Sequence, residues 1–376
     1  MILISILLTS TYLLLIGSFV YGFDKIKRFK RHDIPAKTKF SIVIPFRNEA
    51  KNLPKLLTSI AALKYPKQLF EIIFVDDASE DTSVELIMEF MNAGRNDIQF
   101  QLISNKRKTN APKKDAITTA ISIAKYEWII TTDADCILPK YWLDSFDTYI
   151  QNSNTVSIAA PVTYFYENTF LNQFQLLDML SLQGATIGGF GIKTPFLCNG
   201  ANFAYNKQVF IELNGFEGNT DMASGDDVFL LEKIVKAYPK QIHYLKCKEA
   251  IVVTRSQPFW HELISQRVRW AAKTSAYNNM FGKFTGLVVL MMNGLIIATL
   301  VLALFGVFNF KIWFYILIIK FNIDFYLIYK TAVFFNQANV LRTFAFGFII
   351  YPFFSIYVAF ISVFSSYKWK GRNFEK

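Results

Sequence analysis

From Met1 to Phe23 the chain carries no charged side chain, and Lys25, Lys27, Arg28, Lys30 and Arg31 follow at once. A helix needs about 20 apolar residues to cross the hydrocarbon core of a bilayer, so 1–23 reads as an N-terminal transmembrane helix. A cleaved signal peptide would carry its positive residues before the apolar core and a small-residue cleavage site after it. The basic flank instead sets the N-terminus outside and the following residues in the cytoplasm. Uncharged stretches return between Lys283 and Lys311 and between Arg342 and Lys368. A third apolar segment, 312–335, contains Lys320, Asp324 and Lys330. Lys320 and Asp324 are one helical turn apart, where a pair offsets the burial of both charges. Residues 284–366 are therefore expected to form a C-terminal transmembrane region of about three segments, followed by a basic tail, 367–376. If all three cross, the tail emerges outside against its charge, so one segment, that holding Pro352, is expected to be re-entrant or interfacial.

Composition narrows the classes. With 52% hydrophobic and 18% charged residues, disorder is excluded. Three cysteines, Cys136, Cys198 and Cys247, are too few and too widely spaced for a disulfide scaffold or a paired zinc site, and point to a reducing compartment. A net charge of +11 fits nucleic acid, anionic lipid or a phosphorylated substrate without choosing among them.

Residues 39–280 have a different texture. Strand-like runs at Ser41 to Pro45, Glu71 to Val75 and Glu127 to Thr132 alternate with helical patterns at 49–63, 81–93 and 113–126. This alternation predicts an α/β domain with a mostly parallel sheet covered on both faces. Ligands of such sheets bind beyond the carboxyl ends of the strands. The second strand runs into Asp76-Asp77-Ala78-Ser79 and the third into Asp133-Ala134-Asp135. Carboxylates gathered at one sheet edge repel one another unless a divalent cation or a hydrogen-bonding ribose fills the gap. Asp133 and Asp135, two apart on extended chain, share a face and can approach one ion. Asp226 and Asp227 precede a helical run as either caps or acid/base groups. The uncharged run Met179 to Ile192 is either an apolar ledge for a lipid or plain core.

Six motifs in order resemble those of the membrane-bound family-2 glycosyltransferases: Ile44-Pro45-Phe46-Arg47-Asn48-Glu49, Val75-Asp76-Asp77-Ala78-Ser79, Asp133-Ala134-Asp135, Asn199-Gly200-Ala201-Asn202, Gly225-Asp226-Asp227 and Gln266-Arg267-Val268-Arg269-Trp270. The resemblance implies a GT-A (Rossmann-like) domain over 39–280. It implies an inverting enzyme that moves a sugar from a nucleotide-sugar donor to a hydroxyl of a lipid or lipid-linked glycan acceptor. By it, Pro45, Glu49 and Asp77 line the base and ribose. Asp133 and Asp135 hold the nucleotide and a Mg²⁺ or Mn²⁺ ion, and Lys113 and Arg269 reach the diphosphate. Asp227 is the base and Asp226, where the family usually has Glu, its neighbour. Asn199, Gly200, Gln266 and Trp270 face the acceptor. The protein is then expected to be integral to a membrane, the bacterial inner membrane by analogy, with its enzymatic domain cytoplasmic and no nucleic-acid partner. Two other readings share these features: a processive polysaccharide synthase, and a membrane scaffold without activity. A transporter would show paired polar interruptions in repeated helices, and the sequence has no such repeat.

Overall fold

The computed structural model describes all residues except 94–97, 223, 275–277, 365–366, 370–371 and 375–376; for 273–274, 367–369 and 372–374 it describes the backbone alone. In chain order the elements are α1 (Ile2–Lys25), β1 (Phe40–Phe46), α2 (Leu53–Ala61), β2 (Phe70–Asp76), α3 (Ser83–Asn92), β3 (Gln99–Ser104), α4 (Pro112–Ile123), β4 (Trp128–Thr131), α5 (Trp142–Gln151), β5 (Ser157–Ala159), β6 (Val162–Tyr164), α6 (Phe170–Gly191), β7 (Phe203–Asn206), α7 (Lys207–Glu212), α8 (Asp226–Ala237), β8 (Ile242–Tyr244), β9 (Val252–Thr254), α9 (Trp260–Thr274), α10 (Met280–Leu304), α11 (Phe310–Phe334), α12 (Phe344–Phe364), β10 (Tyr367–Trp369) and β11 (Arg372–Phe374). They form two compact units. Lys27–Phe165 with Cys198–Arg255 makes a sheet unit, and Met1–Ile26, Tyr166–Leu197 and Ser256–Lys376 make a helical unit.

The sheet unit is built on a seven-stranded sheet of order β3-β2-β1-β4-β7-β5-β8. β1 pairs in parallel with both β2 and β4, β2 with β3, and β5 with β8, while β7 runs antiparallel to β4 and β5. Covered on both faces, β1 and β2 are near-continuous apolar runs, as buried parallel strands require. Pro45 is tolerated in this central strand because pairing of β1 with β4 ends at Val43, so only β2 flanks it. Glu71, fully buried in β2, has its carboxyl oxygens satisfied by hydrogen bonds from Ser41 Oγ (2.6 Å), Gln101 Nε2 (2.9 Å) and the Lys125 amide (2.6 Å). The stretch after α1 is fastened to this unit, with Arg31 paired to Asp144 at 2.7 Å and Asp147 accepting from the Thr38 amide and hydroxyl.

In the helical unit, α1, α10, α11 and Ala338–Phe364 are each long and apolar enough to cross a membrane. α12 continues as one helix through Pro352, so the segment expected to be re-entrant or interfacial is a regular helix of spanning length. Lys320 and Asp324 form the pair that their spacing predicts, at 2.5 Å, and the Tyr12 hydroxyl donates to the same carboxylate at 2.6 Å. α1 and α6 approach with backbones in contact. A Cβ on Gly188 would lie 2.5 Å from the Phe19 carbonyl oxygen, and one on Gly191 would lie 1.9 Å from that of Gly22. The sequence reading placed 166–197 and 256–280 with the sheet, whereas α6 and α9 cluster with the apolar helices. The run Met179 to Ile192 belongs to α6 and its neighbourhood, where most side chains are buried.

Candidate active site

Four chain segments meet at the carboxyl edge of β1, β2 and β4. Because β7 is antiparallel to β4, its first residue, Phe203, pairs with Thr131 at that same edge. The 3-10 turn Gly200–Asn202 that precedes β7 is thereby brought beside Asp133, and the Thr131 hydroxyl donates to the Gly200 carbonyl at 2.7 Å. The N-termini of α4 and α8 complete the edge, contributing Lys113 and the pair Asp226-Asp227.

Lys113 sits between carboxylates. Its ammonium is 2.8 Å from Asp133 Oδ1 and 3.1 Å from Asp226 Oδ2. Burial works to lower the Lys113 pKa, but the fields of Asp133, Asp226 and Asp227 outweigh it and hold the group well above the ordinary lysine value. Asp227 is fixed by backbone amides, Oδ2 accepting from Gly200 at 3.1 Å and Oδ1 from Val228 at 2.8 Å. Gly200 is required there by space: a Cβ would lie 2.8 Å from Asp226 Oδ2 and 3.4 Å from Lys113 Nζ. Gly225, at φ +87°, supplies the left-handed turn that starts α8 and aims both aspartates at the edge.

The remaining expected residues are distributed as follows. Asp77, 7% exposed, accepts at Oδ1 from Asn105 Nδ2 (2.7 Å) and Arg107 Nε (2.6 Å), a rigid acceptor at the end of β2. Pro45 lies in the last turn of pairing of β1, and Glu49 beyond it accepts from Asn52 at 2.6 Å. Asp135 is partly exposed and receives the Cys136 thiol at 3.7 Å. Asn199 accepts from the Ala201 amide at 3.0 Å, forming the turn that presents Gly200. Thus Lys113, Asp133, Gly200, Asp226 and Asp227 stand together. Gln266, Arg269 and Trp270 stand on α9, in the helical unit.

Three basic residues have roles beyond the sequence reading. Arg107, equally readable as a solvated surface charge, is paired with Asp77. Arg47 donates to the Asp77 carbonyl at 2.9 Å, bracing the same turn. Lys114, one helix position from Lys113 and so turned away by about 100°, is buried and donates to the carbonyls of Asn219 (2.6 Å) and Met222 (3.0 Å), fastening the loop before α8.

The donor set suits a hard divalent ion held jointly with a ligand. Asp133 and Asp135 are oxygen donors on one strand end, and the Asp133 side chain is 37% exposed. Among the described residues no group of three or more His, Cys, Asp or Glu is placed to cage a metal alone. Mg²⁺ typically binds by one or two carboxylates plus substrate phosphates, which is what this edge offers.

Residues 41–213 match the family model described as Glycosyl transferase family 2. Over 271 residues the chain is 24% identical to the poly-beta-1,6-N-acetyl-D-glucosamine synthase of Staphylococcus epidermidis, covering 68% of this chain and 61% of that protein. Over 98 residues it is 40% identical to an undecaprenyl-phosphate 4-deoxy-4-formamido-L-arabinose transferase of Yersinia pestis, covering 26% and 29% respectively. Its fold is similar to that of a mannosyltransferase from Pyrobaculum calidifontis in complex with GDP-Man and Mn²⁺, with a TM-score of 0.58 at 14% identity over 96% of this chain and 99% of that one. The chain spans 61% of the length of the first of these relatives.

Proposed function

Since residues 41–213 match the family model of glycosyl transferase family 2, we propose that the protein transfers a sugar, with inversion, from a nucleotide-sugar to a hydroxyl of a lipid or lipid-linked acceptor at the cytoplasmic membrane face. The observation that carries this reading is the cluster at the sheet edge: a rigidly oriented Asp227 beside an ammonium shared by Asp133 and Asp226. The acceptor oxygen attacks the anomeric carbon while its proton passes to the Asp227 carboxylate. The bond from that carbon to the diphosphate oxygen breaks, and the electron pair leaves with the nucleoside diphosphate. A single displacement inverts the anomeric centre. Asp77, fixed by Arg107 and Asn105, accepts from the nucleoside together with Glu49 and Pro45 at the end of β1. Lys113, at the sheet edge, is placed to meet the charge that develops on the diphosphate, a role that the motif resemblance also assigns to Arg269. Asp133 and Asp135 are the residues to hold a Mg²⁺ or Mn²⁺ ion, whose chemistry is to neutralise the leaving group. Asn199, Gly200, Gln266 and Trp270 are assigned to the acceptor side.

The four helices of spanning length support a membrane-borne acceptor, which reaches the site by two-dimensional diffusion. Similarity to a polysaccharide synthase favours a second reading, in which the product is a polymer. Membranes containing the protein, incubated with a panel of radiolabelled nucleotide-sugars, distinguish the two. Label from one donor should enter the organic-extractable fraction, and Asp227→Asn should abolish it. Label in a non-extractable polymer would instead establish the synthase.

A further inference from the structure

Lys113 is in an unusual place for a lysine. It is the second residue of α4, next to the positive end of the helix dipole, where a cation is disfavoured. Helix stability does not explain it, and a local conflict of this kind marks a position set by function. Its ammonium is spent on two carboxylates from different motifs, Asp133 and Asp226. Asp226 is 8% exposed, and the Lys113 ammonium 3.1 Å away offsets the burial of its charge.

Asp133 is also the carboxylate assigned above to the divalent ion. An ammonium 2.8 Å from its Oδ1 and a divalent ion on the same group repel each other, so the two compete. The nucleotide-sugar changes the balance, because its diphosphate gives the ammonium a new anionic partner within the same edge. We propose that Lys113 is a built-in counter-ion: it holds Asp133 and Asp226 in the donor-free enzyme, keeps the divalent cation off Asp133, and turns to the diphosphate when donor arrives. Metal and donor then bind cooperatively, each raising the affinity of the other by the same factor. Lys113 is a positioning residue in this scheme, which rests on reading the edge as a nucleotide-sugar site.

The test is Mn²⁺ binding to the full-length protein in detergent, followed by the electron paramagnetic resonance of free Mn²⁺, alone and with UDP or GDP. The wild type should bind Mn²⁺ weakly alone and about tenfold or more tightly with the matching nucleotide. Lys113→Met and Lys113→Gln should bind Mn²⁺ alone about tenfold more tightly than wild type and lose most of the nucleotide dependence. Lys113→Arg, which keeps the charge, should retain weak Mn²⁺ binding, and Asp135→Asn should lose Mn²⁺ in every background. If Mn²⁺ binding without nucleotide is unchanged or weaker in folded Met and Gln variants, Lys113 is not a competitor and the proposal falls alone. If neither UDP nor GDP affects Mn²⁺ binding to the wild type, or Asp135→Asn retains Mn²⁺, the metal reading of the edge falls, and the proposal with it.

Discussion

Gly200 shows how little freedom the edge allows. With a Cβ, residue 200 would press on Asp226 Oδ2 at 2.8 Å, and the Lys113 ammonium and Asp227 Cβ are the next atoms out. Gly200→Ala should therefore lower turnover by about a hundredfold, the order expected when reacting groups shift by about 1 Å. Its thermal unfolding midpoint should fall far less than turnover, because the atoms nearest the added Cβ are the ends of side chains rather than backbone. Asp227→Asn keeps the shape and removes the proton acceptor. Turnover should fall by about a hundred- to ten-thousand-fold while nucleotide-sugar affinity, measured by titration, survives. Loss of donor binding together with turnover would place the base elsewhere. His243, in β8, lies far from the motifs in sequence and bears on stability instead. Burial lowers its pKa despite the Lys240 carbonyl near Nε2, and its ring packs edge-on against Tyr149. A histidine held neutral stabilises the fold above its unfolded pKa of about 6.5 and loses that contribution as pH falls through the lower folded value. The unfolding midpoint should drop between pH 7.5 and pH 5.5, and His243→Phe, which keeps the ring contact, should flatten the drop.

Helix packing in the helical unit depends on glycine at some positions and is indifferent to it at others. Gly188 on α6 meets the Phe19 backbone of α1, whereas Gly17 on α1 has nothing within 4 Å of a built Cβ. Gly188→Leu should cost about 1–3 kcal/mol or more of stability by forcing the helices apart, and Gly17→Leu should be tolerated; thermal unfolding in detergent compares them. Removing one member of a buried ion pair is a harsher change than adding volume. Lys320 is 2% exposed, and Lys320→Met takes the ammonium from Asp324 while the Tyr12 hydroxyl stays, at a cost of about 3–5 kcal/mol. Lys320→Met combined with Asp324→Leu should recover most of it. The pairing of 320 with 324 was legible because it is local, a matter of helical spacing. So were β1, β2, β4 and the helices between them, since apolar runs and amphipathic repeats are local as well. β3 and the short strands β5 to β9 were not: β3 is only half-buried and lacks an unbroken apolar run, and three- or four-residue strands carry little periodicity, β4 standing out by its Trp-Ile-Ile run. The placement of α6 was not legible either. Its glycines report close approach to α1 only once the partner helix is known. At the sheet edge each carboxylate motif was visible in sequence, but Lys113 was read there as a diphosphate contact, and its bridging of Asp133 to Asp226 depends on the tertiary fold.

Orientation across the membrane follows from contacts inside the helical unit. Asp24, at the end of α1, pairs with Lys330, near the end of α11, at 2.8 Å, and Tyr12 meets Asp324 further back along both helices. α1 and α11 therefore run in the same direction, so α10 between them runs the other way, as alternate crossings demand. By the positive-inside rule, the basic residues after α1 predict that this end faces the cytoplasm. Of these, Arg31 is already paired with Asp144, so Lys25, Lys27, Arg28 and Lys30 carry the bias. On the proposed cytoplasmic reading, the sheet unit, which begins at Lys27, is expected on the cytoplasmic side and Val307, 68% exposed between α10 and α11, on the other. Impermeant maleimide labelling of intact cells tests this arrangement. The native thiols interfere little: burial raises the pKa of Cys136, and burial, with Glu249 beside it, pushes that of Cys247 up to about 11. Cys198 is replaced by alanine. Lys108→Cys, at an exposed site in the sheet unit, should label only after permeabilisation, and Val307→Cys should label in intact cells. The reverse pattern would put the enzyme's edge outside, where nucleotide-sugars are scarce, and would overturn the cytoplasmic assignment while leaving α1 and α11 parallel; labelling of both sites from the same side would overturn the alternate crossing of α10 and α11.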